Sequence, residues 1–362
     1  MRENFPKIPI EKICPQEEMT EKGKEYDQET KKELTEYIFK YWRGDAHTHT
    51  QESTRWDYVE GIYDKEEFMK YYQDLGLEFV AFSDHASKPG EPEKLKYEDK
   101  ISQDLLKQAE EIKNINQEGK FDLAAFSSVE SNIFFTDNEE AIIDLPPEVL
   151  KKLDLVIASR HAIKNEKDIN AIKESLLSAI NNPYVDVIGH PDRYIRLNQG
   201  ATDKGGPCSP EIYWDTWNKI LDEVNKNGKA FEVNFNNPPA DELLEIAASK
   251  GTKFMLNYDA HDFNQYKKGI PEGEKAKKNW AKDEACPEDL EILQKYKLDR
   301  LTSGPGVKAI SRLVKFIKKL EKLDVTPEKI INSSRENMIN FLTKDRNKST
   351  ENLEFLKEKF IK

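Results

Sequence analysis

A closed barrel of seven parallel strands with helices outside, a distorted (β/α)7 barrel of the α/β class, is the fold that the sequence predicts. Two observations lead there. Short apolar runs alternate with segments of helical period seven times along the 362 residues. Six of those runs lead straight into groups that can bind a metal. They are Asp45-Ala-His47-Thr-His49, Ser83-Asp84-His85, Val129-Glu130, Arg160-His161, Gly189-His190-Pro191 and Asp259-Ala-His261, and they hold all six histidines of the chain. In an open sheet, strand ends spread along a line. In a barrel they converge on the C-terminal mouth, where barrel enzymes carry their chemistry.

The elements follow in order. Residues 1 to 27 are polar and read as a surface arm, and 29 to 42 as a helix, together an N-terminal unit over 1–42. A first strand then ends in His47 and His49. A helix is expected from Lys65 to Leu75, because Asp64 suits its N-cap and Gly76 its C-terminal stop. The second strand, Glu78 to Phe82, leads to His85. A long helix from Asp99 to Gln117 has Ile101, Leu105, Ala109 and Ile112 on one face. The third strand, Phe121 to Val129, delivers Glu130, and a loop with Pro146-Pro147 fills 131 to 150. The fourth strand, Leu153 to Ser159, delivers His161. A helix at 167 to 181 precedes the fifth strand, Val185 to Gly189, which delivers His190. After a Gly-rich loop, a helix at 210 to 226 carries Trp214, Trp217, Leu221 and Val224. The sixth strand, Ala230 to Phe235, and a helix from Ala240 to Ser249 lead to the seventh strand and Asp259. A Lys-rich loop at 262 to 286 is followed by helices near 287–297, 307–323, 327–343 and 350–361. The barrel is expected over 43–342, with a helical tail at 343–362.

Composition narrows the function. A charge of -12 argues against broad capture of nucleic acid, which needs a basic surface. The three cysteines form no CxxC pair and read as reduced thiols. No run reaches transmembrane length and no apolar leader is visible, so a cytoplasmic location is expected.

Two histidines one residue apart on a strand point to the same face, so His47 and His49 can hold one ion together, as can Asp259 and His261. Six histidines with Glu130 and Asp259 exceed what one tetrahedral site needs. Two or three divalent ions sharing a bridging carboxylate fit better, with zinc, manganese or iron suited to the mixed donors. Arg160 and Arg193 lie beside ligand histidines at strand ends, and are the expected cationic, catalytic contacts to a phosphate.

The ordered set of motifs, HxH, SDH, Glu, His, GHPD and DAH, resembles the PHP (polymerase and histidinol phosphatase) family. The Phe231-Glu-Val-Asn234 strand and the Thr326-Pro-Glu-Lys-Ile-Ile-Asn332 segment are similar to its sixth strand and its ending. The resemblance implies a trinuclear site and hydrolysis of a small phosphomonoester by a metal-activated hydroxide. Carried over, His47, His49, Glu130 and Asp259 hold the first ion. Glu130 bridges to a second, completed by His161 and His190, while His85 and His261 hold the third. The chain departs from the family at Thr54 and Arg55, where a further ligand of the third ion is usual; Glu52 or Asp57 are the local substitutes. Asp84 reads as a supporting group. The alternatives are a nuclease acting on phosphodiesters, either TatD-like or a PHP exonuclease, an amidohydrolase-type barrel, and a barrel whose metal site is kept without turnover. The usual bridging lysine of amidohydrolases is replaced here by Glu130.

Overall fold

The computed structural model describes residues 36–54, 63–86, 99–135, 141–161, 169–191, 195–197, 207–235, 238–261 and 305–361. The expected arm at 1–27, the loop at 262–286, the helix at 287–297 and Arg193 lie outside the described residues.

Seven parallel strands form the sheet, in the spatial order β1 (Gly44–Thr48), β2 (Phe79–Phe82), β3 (Ala124–Phe135), β5 (Leu155–Ser159), β6 (Val187–Ile188), β9 (Ala230–Asn234) and β10 (Lys253–Asn257). The barrel closes between β10 and β1, but not by a regular ladder. At the mouth the backbone pairs directly: His49 N donates to Ala260 O at 2.8 Å, and Ala260 N donates to His47 O at 3.0 Å. Below that point side-chain amides span the gap. Asn257 Oδ1 accepts from Ala46 N, while Asn332 accepts from Leu256 N and donates to Gly44 O. Backbone groups at such a seam are buried, so each needs a partner.

The helices lie outside. Helix α1 (Lys65–Leu75) has the predicted bounds, because both its ends are specified locally. Asp64 accepts from Glu67 N at 2.8 Å, Glu67 accepts from Asp64 N at 3.1 Å, and Gly76 adopts φ 78°. A reciprocal cap of this kind contributes about 1 kcal/mol. Helix α2 (Asp99–Glu118) buries Ile101, Leu105 and Ile112 as its period requires. Helices α4 (Ile169–Asn181), α5 (Pro210–Lys226) and α6 (Asp241–Ser249) continue the ring, with Trp217 fully buried on α5. No helix among the described residues is long and apolar enough to cross a membrane.

Three expectations change. The third strand does not stop at Val129. It runs on to Phe135 and pairs antiparallel with β4 (Ala141–Ile143), ahead of the one-turn helix α3 (Pro147–Leu150). Part of the expected loop at 131–150 is therefore a β-ribbon rising past Glu130. The region 195–209 likewise holds a small ladder of β7 (Arg196–Leu197) and β8 (Pro207–Cys208). The helix expected over 327–343 is broken. Helix α7 (Pro305–Lys322) is followed by two 3-10 turns, Pro327–Lys329 and Ile331–Ser333, before α8 (Arg335–Asn340) and a π-turn at Phe341–Asp345. The physical reason is the seam. Ile330 is extended and bridges Phe254, and Asn332 must reach both Gly44 and Leu256, which a continuous helix would prevent.

Inside the barrel, Ala46, Phe79, Phe126, Leu155, Ile157, Val187 and Met255 form a lower apolar layer. Ile331, Met338, Phe341 and, from the last helix α9 (Glu351–Phe360), Leu353 and Leu356 seal it from below. Polar anchors hold this plug. Arg346 reaches Asp186 Oδ1 at 3.1 Å and donates to the carbonyls of Asn227, Pro183 and Val185. Lys348 pairs with the other Asp186 oxygen at 2.6 Å. Asp186 is fully buried, so an unpaired charge there is costly. Because Lys348 remains, Arg346→Ala should cost about 3 kcal/mol, the low end for breaking a buried pair, read from the urea midpoint. A loss below about 1 kcal/mol would place this anchor among ordinary surface pairs.

Candidate metal centre

Five of the six histidines surround one carboxylate. Glu130, 1% exposed, lies on β3 facing the barrel interior. Its Oε2 stands 3.3 Å from His47 Nε2, 3.4 Å from His49 Nε2 and 3.0 Å from His85 Nδ1. Its Oε1 stands 3.1 Å from His161 Nε2 and 2.9 Å from His190 Nε2. The two oxygens thus face two different sets of rings. Asp259 adds a second carboxylate, with Oδ1 at 3.2 Å from His49 Nε2 and 3.6 Å from His47 Nε2. His261 stacks on His49 with ring centroids 4.2 Å apart.

Local backbone devices bring these side chains together. On β1, Asp45 pairs with Val80 while Thr48 pairs with Phe82, so three steps on β1 match two on β2. This one-residue bulge resets the alternation: Ala46 faces the inner core, and His47 nevertheless reaches the site above it. Asp45 braces the bulge by accepting from His47 N, Tyr258 N and Tyr72 Oη. Its burial, only partly offset by these bonds, pushes its carboxyl up to about 7. Just past β6, a Cβ at Gly189 would lie 2.1 Å from Ser159 Oγ, so only glycine lets the chain approach this closely. His190 and Asp259 both hold positive φ, 27° and 60°, a conformation that non-glycine residues keep only where surroundings enforce it.

The ring orientations are fixed from behind. Glu232 Oε1 accepts from His47 Nδ1 at 2.7 Å, Ser53 Oγ meets His49 Nδ1 at 3.1 Å, and Asp259 O meets His261 Nδ1 at 3.0 Å. Asn132 Oδ1 contacts His161 Nδ1. Asp84 is one step further out: it accepts from Ser53 Oγ at 2.8 Å and from the backbone N and hydroxyl of Thr50, in its expected supporting place. A histidine held through one nitrogen presents the other to a cation. Accordingly the Nε2 atoms of His47 and His49 are buried without a hydrogen-bond partner.

The electrostatics fit the same chemistry. Burial works to raise Glu130 and Asp259, but the facing histidines outweigh it and hold both carboxyls well below their usual range. Burial, with His261 and His85 nearby, lowers His49 to about 3, and burial lowers His161 to about 4 against the pull of Glu130. Both are therefore neutral imidazoles, the ligating form. Burial opposes a charge on His47, yet Asp259, Glu130 and Glu232 outweigh it and raise that ring well above its ordinary value. Surplus negative charge at its Nε2 is what a divalent ion would neutralise.

Among the described residues, three groups bring donor atoms within 4.8 Å of one another: His47, His49 and Asp259; His85, Glu130 and His161; and His49, His85 and His261. All eight metal-site residues expected from the sequence thus meet at one mouth, His190 through Glu130. Glu52 does not join them, because it is paired with Lys65. Arg55 and Asp57 lie outside the described residues. Arg160 is buried, 2% exposed, directly after β5. Sequence reasoning missed Ser53, Asn132 and Glu232 as holders of the rings. Alternation could have found two of them, since Asn132 shares a face with Glu130, and Glu232 with Asn234.

The fold and this cluster define a parallel barrel with a histidine–carboxylate centre at the C-terminal ends of its strands. No protein-family model matches the chain. A probable phosphatase of Caldanaerobacter subterraneus subsp. tengcongensis is 34% identical over 144 residues, covering 37% of this chain and 49% of that protein. The DNA polymerase/3'-5' exonuclease PolX of Bacillus subtilis is 28% identical over 246 residues, covering 66% of this chain and 37% of its own length. The chain thus spans about half, or less, of the length of these two relatives. Among solved structures, a histidinol phosphate phosphatase from Lactococcus lactis, in complex with zinc, L-histidinol and phosphate, aligns over 60% of this chain and 86% of that chain, with 18% identity and a TM-score of 0.40.

Chelator-stripped protein titrated with zinc or manganese should melt progressively higher. Ion at a hundred times its dissociation constant adds about 2.7 kcal/mol to stability. His161→Ala should weaken the response, and an unchanged melting temperature would show that the cluster takes up no ion.

Proposed function

We propose that the chain is a metal-dependent phosphoesterase of the PHP kind that hydrolyses a small phosphomonoester. The carrying observation is that Glu130 offers one oxygen to His47, His49 and His85 and the other to His161 and His190. A carboxylate so divided suits a bridge between two cations. His47, His49, Glu130 and Asp259 are assigned to the first, and Glu130, His161 and His190 to the second. His85 and His261 are assigned to a third; His49, already committed to the first, stands beside them.

Divalent zinc, manganese or iron would supply Lewis acidity and an activated water here. The chain's own residues aim the donors. Glu232, Ser53 and Asn132 fix the rings through hydrogen bonds, and the strained turns at His190 and Asp259 hold their neighbours over the mouth. Arg160 and Arg193 are assigned as cationic partners of the phosphate. The curated relative named as a probable phosphatase supports this reading, as does the ordered set of motifs. The relative named as a polymerase and exonuclease favours a second one, cleavage of nucleic-acid phosphodiesters, which the net charge of -12 weighs against.

Phosphate release from a panel of small phosphomonoesters, histidinol phosphate and nucleotides included, decides between them. Manganese- or zinc-dependent release is expected, abolished by chelator and by His190→Ala. Cleavage of single-stranded DNA without release from any monoester would favour the second reading. Bound metal with neither activity would leave a barrel that keeps its site without turnover.

A further inference from the structure

Glu232 stands apart from the cluster in sequence but touches both halves of it. It sits on β9, fully buried, one level below the donor atoms. Its Oε1 accepts from His47 Nδ1 at 2.7 Å and from Asn257 Nδ2 at 2.8 Å. Its Oε2 accepts from the backbone N of His190 at 2.6 Å and meets Asn234 Nδ2 at 3.5 Å. His47 belongs to the first proposed ion and His190 to the second. His190 is also the residue held at φ 27°, and the bond from its own N–H to Glu232 is a direct restraint on that turn.

We infer that Glu232 is a positioning residue that couples the two proposed ion sites, fixing the His47 ring and the His190 backbone with one carboxylate. This rests on the function proposed above. Four donors converge on its two oxygens, and an ionised carboxylate is the side chain of that length that accepts at both ends and donates at neither. Glutamine has the same shape but one amide end. Whichever way it turns, its NH2 meets a donor. Turned toward His47, it drives the ring to the tautomer that carries its proton on Nε2, the atom aimed at the ion. Turned toward His190, it confronts the backbone N–H and loosens the strained turn. Through its other neighbours the same carboxylate reaches further: Asn257 closes the barrel seam to Ala46, and Asn234 holds Asp259 Oδ2 at 3.0 Å.

The test is metal affinity, measured by chelator competition on the whole chain, with Glu232→Gln beside wild type. Loss of a partner behind a ligating histidine weakens metal binding by about 10–100-fold. Here the weakening should extend to both tightly bound ions. Stripped Glu232→Gln should melt somewhat below stripped wild type, because its buried NH2 faces a donor, and the rise on adding zinc should shrink as well. A merely structural role predicts the lower melting temperature alone, with an unchanged affinity once folded. If Glu232→Gln does not fold, Glu232→Asp keeps the charge but is too short to span both partners, and should weaken binding too. Affinity equal to wild type in either folded variant, or a loss confined to one ion, overturns the inference. Wild-type protein that binds no metal would instead overturn the proposed function beneath it.

Discussion

A carboxylate buried among five histidines governs how this chain is built. An ionised Glu130 at 1% exposure would be very costly in an apolar interior. It is tolerated because positive charge, from protons or from cations, can gather around it. Its partners come from four strand ends: His47 and His49 from β1, His85 from β2, His161 from β5 and His190 from β6. No arrangement that leaves those ends in a line could bring all five rings around one side chain. Closure of the sheet and survival of the carboxylate are thus two sides of one requirement.

Much of the remaining polar structure follows from closing the barrel at that mouth. The β10–β1 seam is too irregular for a full ladder, so Asn257 and Asn332 supply the missing bonds. The segment that delivers Asn332 cannot remain a helix, which breaks the C-terminal region into short turns. Those turns, with α9, seal the barrel from below, and Asp186 with Arg346 and Lys348 fastens them there. Two of the four described non-glycine residues with positive φ, His190 and Asp259, lie at this mouth, where hydrogen bonds hold backbones that would otherwise relax.

How much was legible in the sequence depended on whether the signal was local. Helix α1 was readable to the residue, because Asp64, Glu67 and Gly76 specify both ends within the segment. The strand ends were readable because apolar runs stop at polar, metal-capable groups, and the placing of every histidine at one of them pointed to a single centre. What escaped depends on distant partners. The bulge that turns His47 inward shows only in the register against β2. The break before α8 exists because Asn332 bonds to strands more than seventy residues away in sequence. The extension of β3 past Glu130 depends on pairing with β4. Glu232 was visible as an acidic residue on an apolar strand, but its partners, His47 and the backbone of His190, come from other strands.

The most direct measurement is anomalous diffraction from crystals of the metal-loaded protein. At least two ions are expected, about 3.5–4 Å apart, on either side of the Glu130 carboxylate. One would lie against His47, His49 and Asp259, the other against His161 and His190. A single ion bound away from Glu130, or two ions without that carboxylate between them, would contradict that expectation.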